Sequence, residues 1–205
     1  MRRKEEHKIG FTILKKTLGG IYLLWYNHKI IGKENIPRDG AIVICANHKH
    51  VMDQCAILMA TKRMVHYMAK REYFDGKMAW FFKMAGCIPV DRSIKDEVAK
   101  KRALGILEKG QAIGLFPEGT RNKTKDFLLP FKFGAVSMAK KTDAYIVPVG
   151  ITGDYKFRSK NLVTRIGKPF KVTDMTLEEA NEKLKDEISK LMKMSLKEEK
   201  KNKKK

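Results

Sequence analysis

Six short apolar runs, separated by segments of helical spacing, constrain the fold more than any other feature of this chain. They fall at 41–46 (AIVICA), 65–69, 87–90, 112–116, 144–149 and 162–166, and their β-branched residues mark them as strands. Helical patterns occupy 53–62, 77–85, 94–109 and 133–141 between them. This alternation implies an α/β fold with a mixed, largely parallel sheet flanked by helices. Such a sheet gathers functional groups in the loops after its strands.

Outside this stretch the chain changes character. Residues 1–34 read as N-terminal amphipathic helices, with Phe11, Leu14, Leu18, Ile21, Tyr22 and Trp25 at helical spacing. Lys15, Lys16, His28 and Lys29 add positive charge nearby, and Gly19-Gly20 marks a weak point between two short helices. Basic residues beside Trp, Tyr and Leu suit a helix in a membrane interface. A core-packing pair with solvated lysines explains the same pattern. Residues 35–196 form the body of the chain, closing in a helix over 177–194 whose start Thr176 and Glu178-Glu179 signal. Residues 197–205 are almost all Lys and Glu, the composition of a basic disordered tail.

Composition narrows the classes. The 205 residues carry 44 Lys+Arg against 23 Asp+Glu, a formal charge of +21 that asks for a polyanionic partner. Hydrophobic residues at 43% exclude wholesale disorder. No apolar run reaches the ~20 residues needed to cross a bilayer. No secretory signal is expected, because Lys15 and Lys16 interrupt the first apolar stretch. Cys45, Cys55 and Cys87 are few and scattered, which fits a reducing cytosolic setting better than a disulfide framework.

The segment Asn47-His48-Lys49-His50-Val51-Met52-Asp53 follows the first of these runs. Across a turn, Asp53 can accept the Nδ1 proton of His48 and leave Nε2 free as a base. An Asp capping a helix beside an ordinary His is the alternative. Cys45, His48, His50 and Cys55 match no standard zinc spacing, so no metal is expected. No G-x-S-x-G elbow is present. Without a protein nucleophile, the simplest role for His48 is to deprotonate an acceptor hydroxyl. Two further segments, GCIPVDR and FPEGTRN, each end a short strand with charge and place Arg92 and Arg121 where a phosphate is gripped bidentately. Ordinary Asp–Arg and Glu–Arg surface pairs are the competing reading.

NHKHVMD, GCIPVDR, FPEGTRN and Ile146-Val147-Pro148-Val149 stand in the order and approximate spacing of the four blocks of the glycerolipid acyltransferase family, which the chain resembles over residues 34–172. The stretches MAKRE (68–72), FKFGA (131–135) and IGKP (166–169) support the match. The resemblance implies that His48 is the base and Asp53 its orienter. It implies that Arg92, Glu118 and Arg121 bind a glycerol-phosphate acceptor, that Gly119 lets substrate approach, and that Pro148 helps shape the acyl site. Lys70 would contact phosphate or the developing oxyanion. The family often carries Ser or another small polar residue where this chain has His50.

The implied reaction moves a fatty acyl group from acyl-CoA or acyl carrier protein to the sn-2 hydroxyl of 1-acyl-sn-glycerol-3-phosphate (lysophosphatidic acid), giving phosphatidic acid without a cofactor. The expected location is the cytoplasmic face of the cell membrane, peripheral or monotopic, with the N-terminal lysines and the C-terminal run against anionic lipid. A different acceptor, such as glycerol 3-phosphate or another lysophospholipid, and a non-catalytic basic membrane-binding protein are the rivals. Nucleic acid is disfavoured, because the basic residues form neither a recognition helix nor an aromatic-studded platform.

Overall fold

The computed structural model describes residues 2–91 and 93–202, with side chains from residue 11 onward apart from residue 14. The chain runs α1 (Arg2–Tyr26), β1 (Lys29–Ile31), β2 (Ile42–Ala46), α2 (Asp53–Ala60), β3 (Val65–Lys70), α3 (Ala79–Met84), β4 (Ile88–Val90), α4 (Glu97–Glu108), β5 (Ala112–Leu115), α5 (Gly134–Thr142), β6 (Tyr145–Thr152), β7 (Val163–Ile166) and α6 (Leu177–Asn202). Short 3₁₀ turns occur at Lys33–Asn35 and Arg71–Phe74. One sheet takes the order β1-β7-β6-β2-β5-β3-β4. From β6 to β4 the neighbours are parallel. β7 runs antiparallel to β6, and β1 pairs parallel with β7. The mixed, largely parallel sheet that the sequence implies is the one that forms.

β2 is buried at every position because helices cover both faces of the sheet. Val43 and Cys45 face a core with α4, α5 and α6, including Ala103, Val136 and Leu184. Ile42, Ile44 and Ala46 face the opposite core, with Ile57 of α2 and Tyr22 of α1. Side chains alternate along a strand, so two covered faces require a continuous apolar run rather than an alternating one. Each fully buried Ile contributes about 1.5–3 kcal/mol.

Both ends of the chain differ from their sequence reading. α1 is one continuous helix, not two. Gly19 faces the end of the Met59 side chain of α2. Of the residues expected to supply a basic face, Lys15 is half-buried with its Nζ donating to the Thr61 carbonyl. His28 is largely buried, and burial pushes its pKa down to about 4, so it is neutral near pH 7. The first zone also contains the edge strand β1, which no spacing pattern announced.

At the other end, α6 continues through Asn202, and residues 197–202 are helical where a disordered tail was expected. Thr176 and Glu179 form a reciprocal capping box, with Glu179 N donating to Thr176 Oγ1 at 3.1 Å and Thr176 N to Glu179 Oε2 at 2.8 Å. Near its far end, Arg165 of β7 ties the helix to the sheet, donating to Ser195 Oγ at 3.2 Å and pairing with Glu198 at 2.6 Å. That anchorage keeps a solvated Lys/Glu sequence helical. Residues 203–205 of the expected tail lie outside the described residues.

Candidate active site

The site stands at the carboxyl ends of the parallel strands. β2 ends at Ala46, and Asn47 locks the exit: its side-chain amide donates to Ile151 O at 3.0 Å and accepts from Ile151 N at 2.7 Å. The chain then turns, and Asp53 opens α2. His48 Nδ1 lies 2.8 Å from Asp53 Oδ2. The same oxygen accepts from the Lys49 and His50 amides, each at 2.7 Å. Oδ1 accepts from the Tyr155 hydroxyl at 2.7 Å. Asp53 is fully buried, so its carboxylate depends on these donors in place of water. A carboxylate surrounded by donors fixes the tautomer: His48 carries its proton on Nδ1 and presents the Nε2 lone pair.

The His48 ring stacks on Phe116 at 4.0 Å, which sets its plane. Glu118 braces the backbone beneath it. Its Oε1 accepts from His48 N at 2.7 Å and its Oε2 from Leu129 N at 2.9 Å, while Asn122 N donates to His48 O at 2.7 Å. Burial raises the Glu118 pKa, although these amide bonds pull it down. Gly119 follows with φ +71°, and a Cβ there would sit 2.8 Å from the Lys132 side chain.

His48 lines a cavity of about 410 Å³ together with Gly119, Lys132 and Lys100. Asp91 and Asp96 face it too, but their carboxylates are engaged, Asp91 by Ser93 and Asp96 by the Asp91 and Ala99 amides. Tyr67 lines it with a buried hydroxyl that has no hydrogen-bond partner among the described residues. Lys70, at the end of β3, and Arg121, after β5, are both exposed and do not line this cavity. Pro148 is buried in β6, paired with Cys45. Arg92 lies outside the described residues.

The two histidines differ in their connections. His50 reaches Asp53 through its backbone amide, its Nδ1 accepts from Met52 N at 3.2 Å, and its ring stacks on Tyr155 at 4.3 Å. Only the His48 imidazole bonds the Asp53 carboxylate. Burial pushes the Cys55 thiol up to about 11 and the Cys45 thiol higher still, so neither is primed as a thiolate.

Tyr155 escaped sequence reasoning, and so did the polar groups behind it. Its hydroxyl pKa is raised, first by burial and then by Asp53, so it remains a donor. Tyr22 of α1 belongs to the same core cluster as Tyr155. Tyr22 in turn meets His28 Nδ1 at 3.2 Å, and His28 Nε2 meets Thr164 Oγ1 at 2.9 Å. Tyr155 lies 102 positions from Asp53 and carries no local motif. The one sequence clue to Lys132 was its place in the FKFGA stretch.

A buried carboxylate that orients an imidazole, with the second ring nitrogen left free at the carboxyl end of a parallel sheet, is an arrangement from which an imidazole can act as a general base. The family model described as Acyltransferase matches residues 27–152, and the chain belongs to that family. The 1-acyl-sn-glycerol-3-phosphate acyltransferase of Bacillus subtilis is 31% identical over 162 residues, covering 76% of this chain and 80% of that protein. The protein of the same name from Borreliella burgdorferi is 32% identical over 141 residues, covering 67% of this chain and 56% of that protein. In fold, the chain is similar to the crystal structure of the 1-acyl-sn-glycerophosphate (LPA) acyltransferase PlsC from Thermotoga maritima, with a TM-score of 0.78, 24% identity, and coverage of 95% of this chain and 83% of that one.

Proposed function

We propose that this enzyme transfers a fatty acyl group from a thioester to the sn-2 hydroxyl of 1-acyl-sn-glycerol-3-phosphate, giving phosphatidic acid for phospholipid synthesis. The observation that carries the reading is His48 held at 2.8 Å by a fully buried Asp53, in a chain whose relatives are named for this activity. His48 Nε2 takes the hydroxyl proton as the oxygen attacks the thioester carbonyl. Asp53 steadies the imidazolium that results. When the tetrahedral intermediate collapses, the C–S bond breaks and the imidazolium returns its proton to the departing thiolate. Base catalysis of this kind contributes roughly 10²–10⁴-fold, and positioning supplies much of the remainder.

Arg92 and Arg121 are assigned to the acceptor phosphate, and Lys70 to that phosphate or the developing oxyanion. Glu118 acts by bracing the His48 loop, since both of its oxygens already accept backbone amides. Gly119 keeps the loop open to substrate. The donor is acyl-CoA or acyl carrier protein, a co-substrate rather than a cofactor.

The enzyme works at a membrane surface, peripherally, on the cytoplasmic face. α1 buries Phe11 and Tyr22 inward and exposes Ile13, Leu18, Ile21, Leu24 and Trp25, an apolar surface that suits the boundary of headgroups and acyl chains. No helix among the described residues is long and apolar enough to cross a membrane. The test supplies purified protein with lysophosphatidic acid, glycerol 3-phosphate or another lysophospholipid, and with acyl-CoA or acyl carrier protein as donor. Phosphatidic acid from lysophosphatidic acid is expected. No product from that acceptor with either donor overturns the reading.

A further inference from the structure

A second cavity, larger than the first at about 1130 Å³, opens at the amino ends of β3, β4 and β5, the end of the sheet opposite His48. Arg38, Lys83, Lys101, Arg102 and Lys109 line it, all exposed. None of these five has an ion pair or side-chain hydrogen bond among the described residues. Asp39 is the one carboxylate in the lining. Arg63 also lines it but is spent on structure, donating to the Pro37, Gly40 and Gly110 carbonyls at 2.7–3.0 Å. Unpaired like charges crowded into one groove repel one another, and an anionic occupant relieves that repulsion.

The layout says what kind of anion. Val98, Lys101, Arg102, Gly105, Ile106 and Lys109 follow one another at helical spacing, so they form one face of α4. The cations from Lys101 to Lys109 spread over about 12 Å of helix, at ~1.5 Å per residue. Apolar Val98 and Ile106 alternate with them, and no aromatic ring other than His66 offers a stack for a nucleobase. Gly105 leaves a hollow in the middle of this face, where a Cβ would meet nothing. A helix-interior Gly costs about 1 kcal/mol against Ala, and no packing contact here requires it. A stripe of charge with apolar points and a central hollow matches an elongated acidic protein surface better than a compact pair of nucleotide phosphates.

α4 also joins the groove to the chemistry. It begins beside β4's carboxyl end, where Lys100 lines the His48 cavity, and finishes at the amino end of β5. A partner covering residues 101–109 is therefore separated from His48 by about the length of these strands, roughly 13–20 Å at ~3.3 Å per residue. An extended pantetheine arm spans such a gap. α4 packs on the opposite face of the sheet from α1, so this groove stays open to solution when α1 lies on lipid.

We infer that the basic face of α4 is the docking surface for an acidic acyl carrier protein, which seats there and extends its acyl-pantetheine arm to His48. The inference rests on the acyl-transfer reading above and goes beyond it by naming the donor's docking site. The test is the triple variant Lys101→Glu, Arg102→Glu, Lys109→Glu, assayed with acyl carrier protein, acyl-CoA and acyl-pantetheine as donors. The KM for acyl carrier protein should rise by about tenfold or more, with kcat, the lysophosphatidic acid KM and the acyl-pantetheine KM unchanged. The wild-type KM for the carrier should also climb with salt, and the variant's should not.

An unchanged carrier KM overturns the inference. So does an equal rise for acyl-CoA with acyl-pantetheine unaffected, which would make the groove a nucleotide-phosphate site. Direct binding of apo carrier protein to wild type and variant, read by biolayer interferometry, tests the groove separately from turnover. If wild type transfers no acyl group from any donor, the functional reading fails; if it does and the variant binds carrier as well as wild type, the docking surface fails. Thermal melting of the variant within a few degrees of wild type excludes misfolding as the cause.

Discussion

Two sets of charged groups near the carboxyl ends of the strands stand in opposite states. Asp53 is fully buried, and four hydrogen bonds from His48, Lys49, His50 and Tyr155 reach its carboxylate. Lys70 and Arg121 are exposed, with no ion pair or side-chain hydrogen bond among the described residues. Under the proposed function, with His48 as the base and Lys70 and Arg121 on the acceptor, the difference separates two kinds of work. A base must be aimed before substrate arrives, so the fold fixes it with short local bonds and a distant tyrosine. A cation that grips a phosphate is kept unpaired, because an internal carboxylate would compete with the ligand.

The comparison breaks most visibly at its rigid end. Asp53→Asn places an amide NH₂ or a weaker acceptor where donors already converge, and the His48 tautomer is no longer held. A fall in kcat of roughly 10²–10⁴-fold is expected in the phosphatidic acid assay, because the base is no longer aimed. His28 lies in the same part of the core, hydrogen-bonded to Tyr22. Its folded pKa is lowered from 6.5 to about 4, so the unfolded chain takes up its proton first as pH falls. That stability is therefore fully present above about pH 6.5 and is lost progressively toward pH 4, by up to about 3 kcal/mol. Denaturant midpoints across this window should fall in wild type and fall less in His28→Gln.

Tyr155→Phe removes one donor from Asp53 and leaves Oδ1 unsatisfied, a change of about 1–2 kcal/mol. It should lower kcat by about tenfold and shift the pH–rate profile while sparing the acceptor KM. A purely structural Tyr155 would change melting temperature without moving the profile. The smallest effect is expected at the open end. Arg121→Ala should raise the lysophosphatidic acid KM several-fold with little change in the thioester KM, and Arg92→Ala should do the same. The reverse pattern would place the phosphate elsewhere.

The legibility of each feature followed the range of the interactions that make it. β2 could be read because complete burial on two faces writes an unbroken apolar run, AIVICA, into six consecutive residues. The closeness of His48 to Asp53 could be read because a five-residue turn brings them together. β1 could not: its three residues, Lys-Ile-Ile, gain strand geometry only by pairing with β7 more than a hundred positions later. The end of α6 could not either, since Glu198 is held by Arg165, a partner in another element. Gly19-Gly20 misled for a related reason. A glycine packed beside Met59 inside a continuous helix looks, in sequence, like a glycine that ends one. Tyr155 carries no motif, and only the folded chain brings it to Asp53.

The central claim is that His48, aimed by Asp53, is the base for acyl transfer to lysophosphatidic acid. Steady-state turnover of His48→Ala and His50→Ala, measured side by side with lysophosphatidic acid and a thioester donor, tests it most directly. His48→Ala should lose roughly 10²–10⁴-fold in kcat while His50→Ala keeps most of its activity. Turnover retained by His48→Ala and abolished by His50→Ala would contradict it.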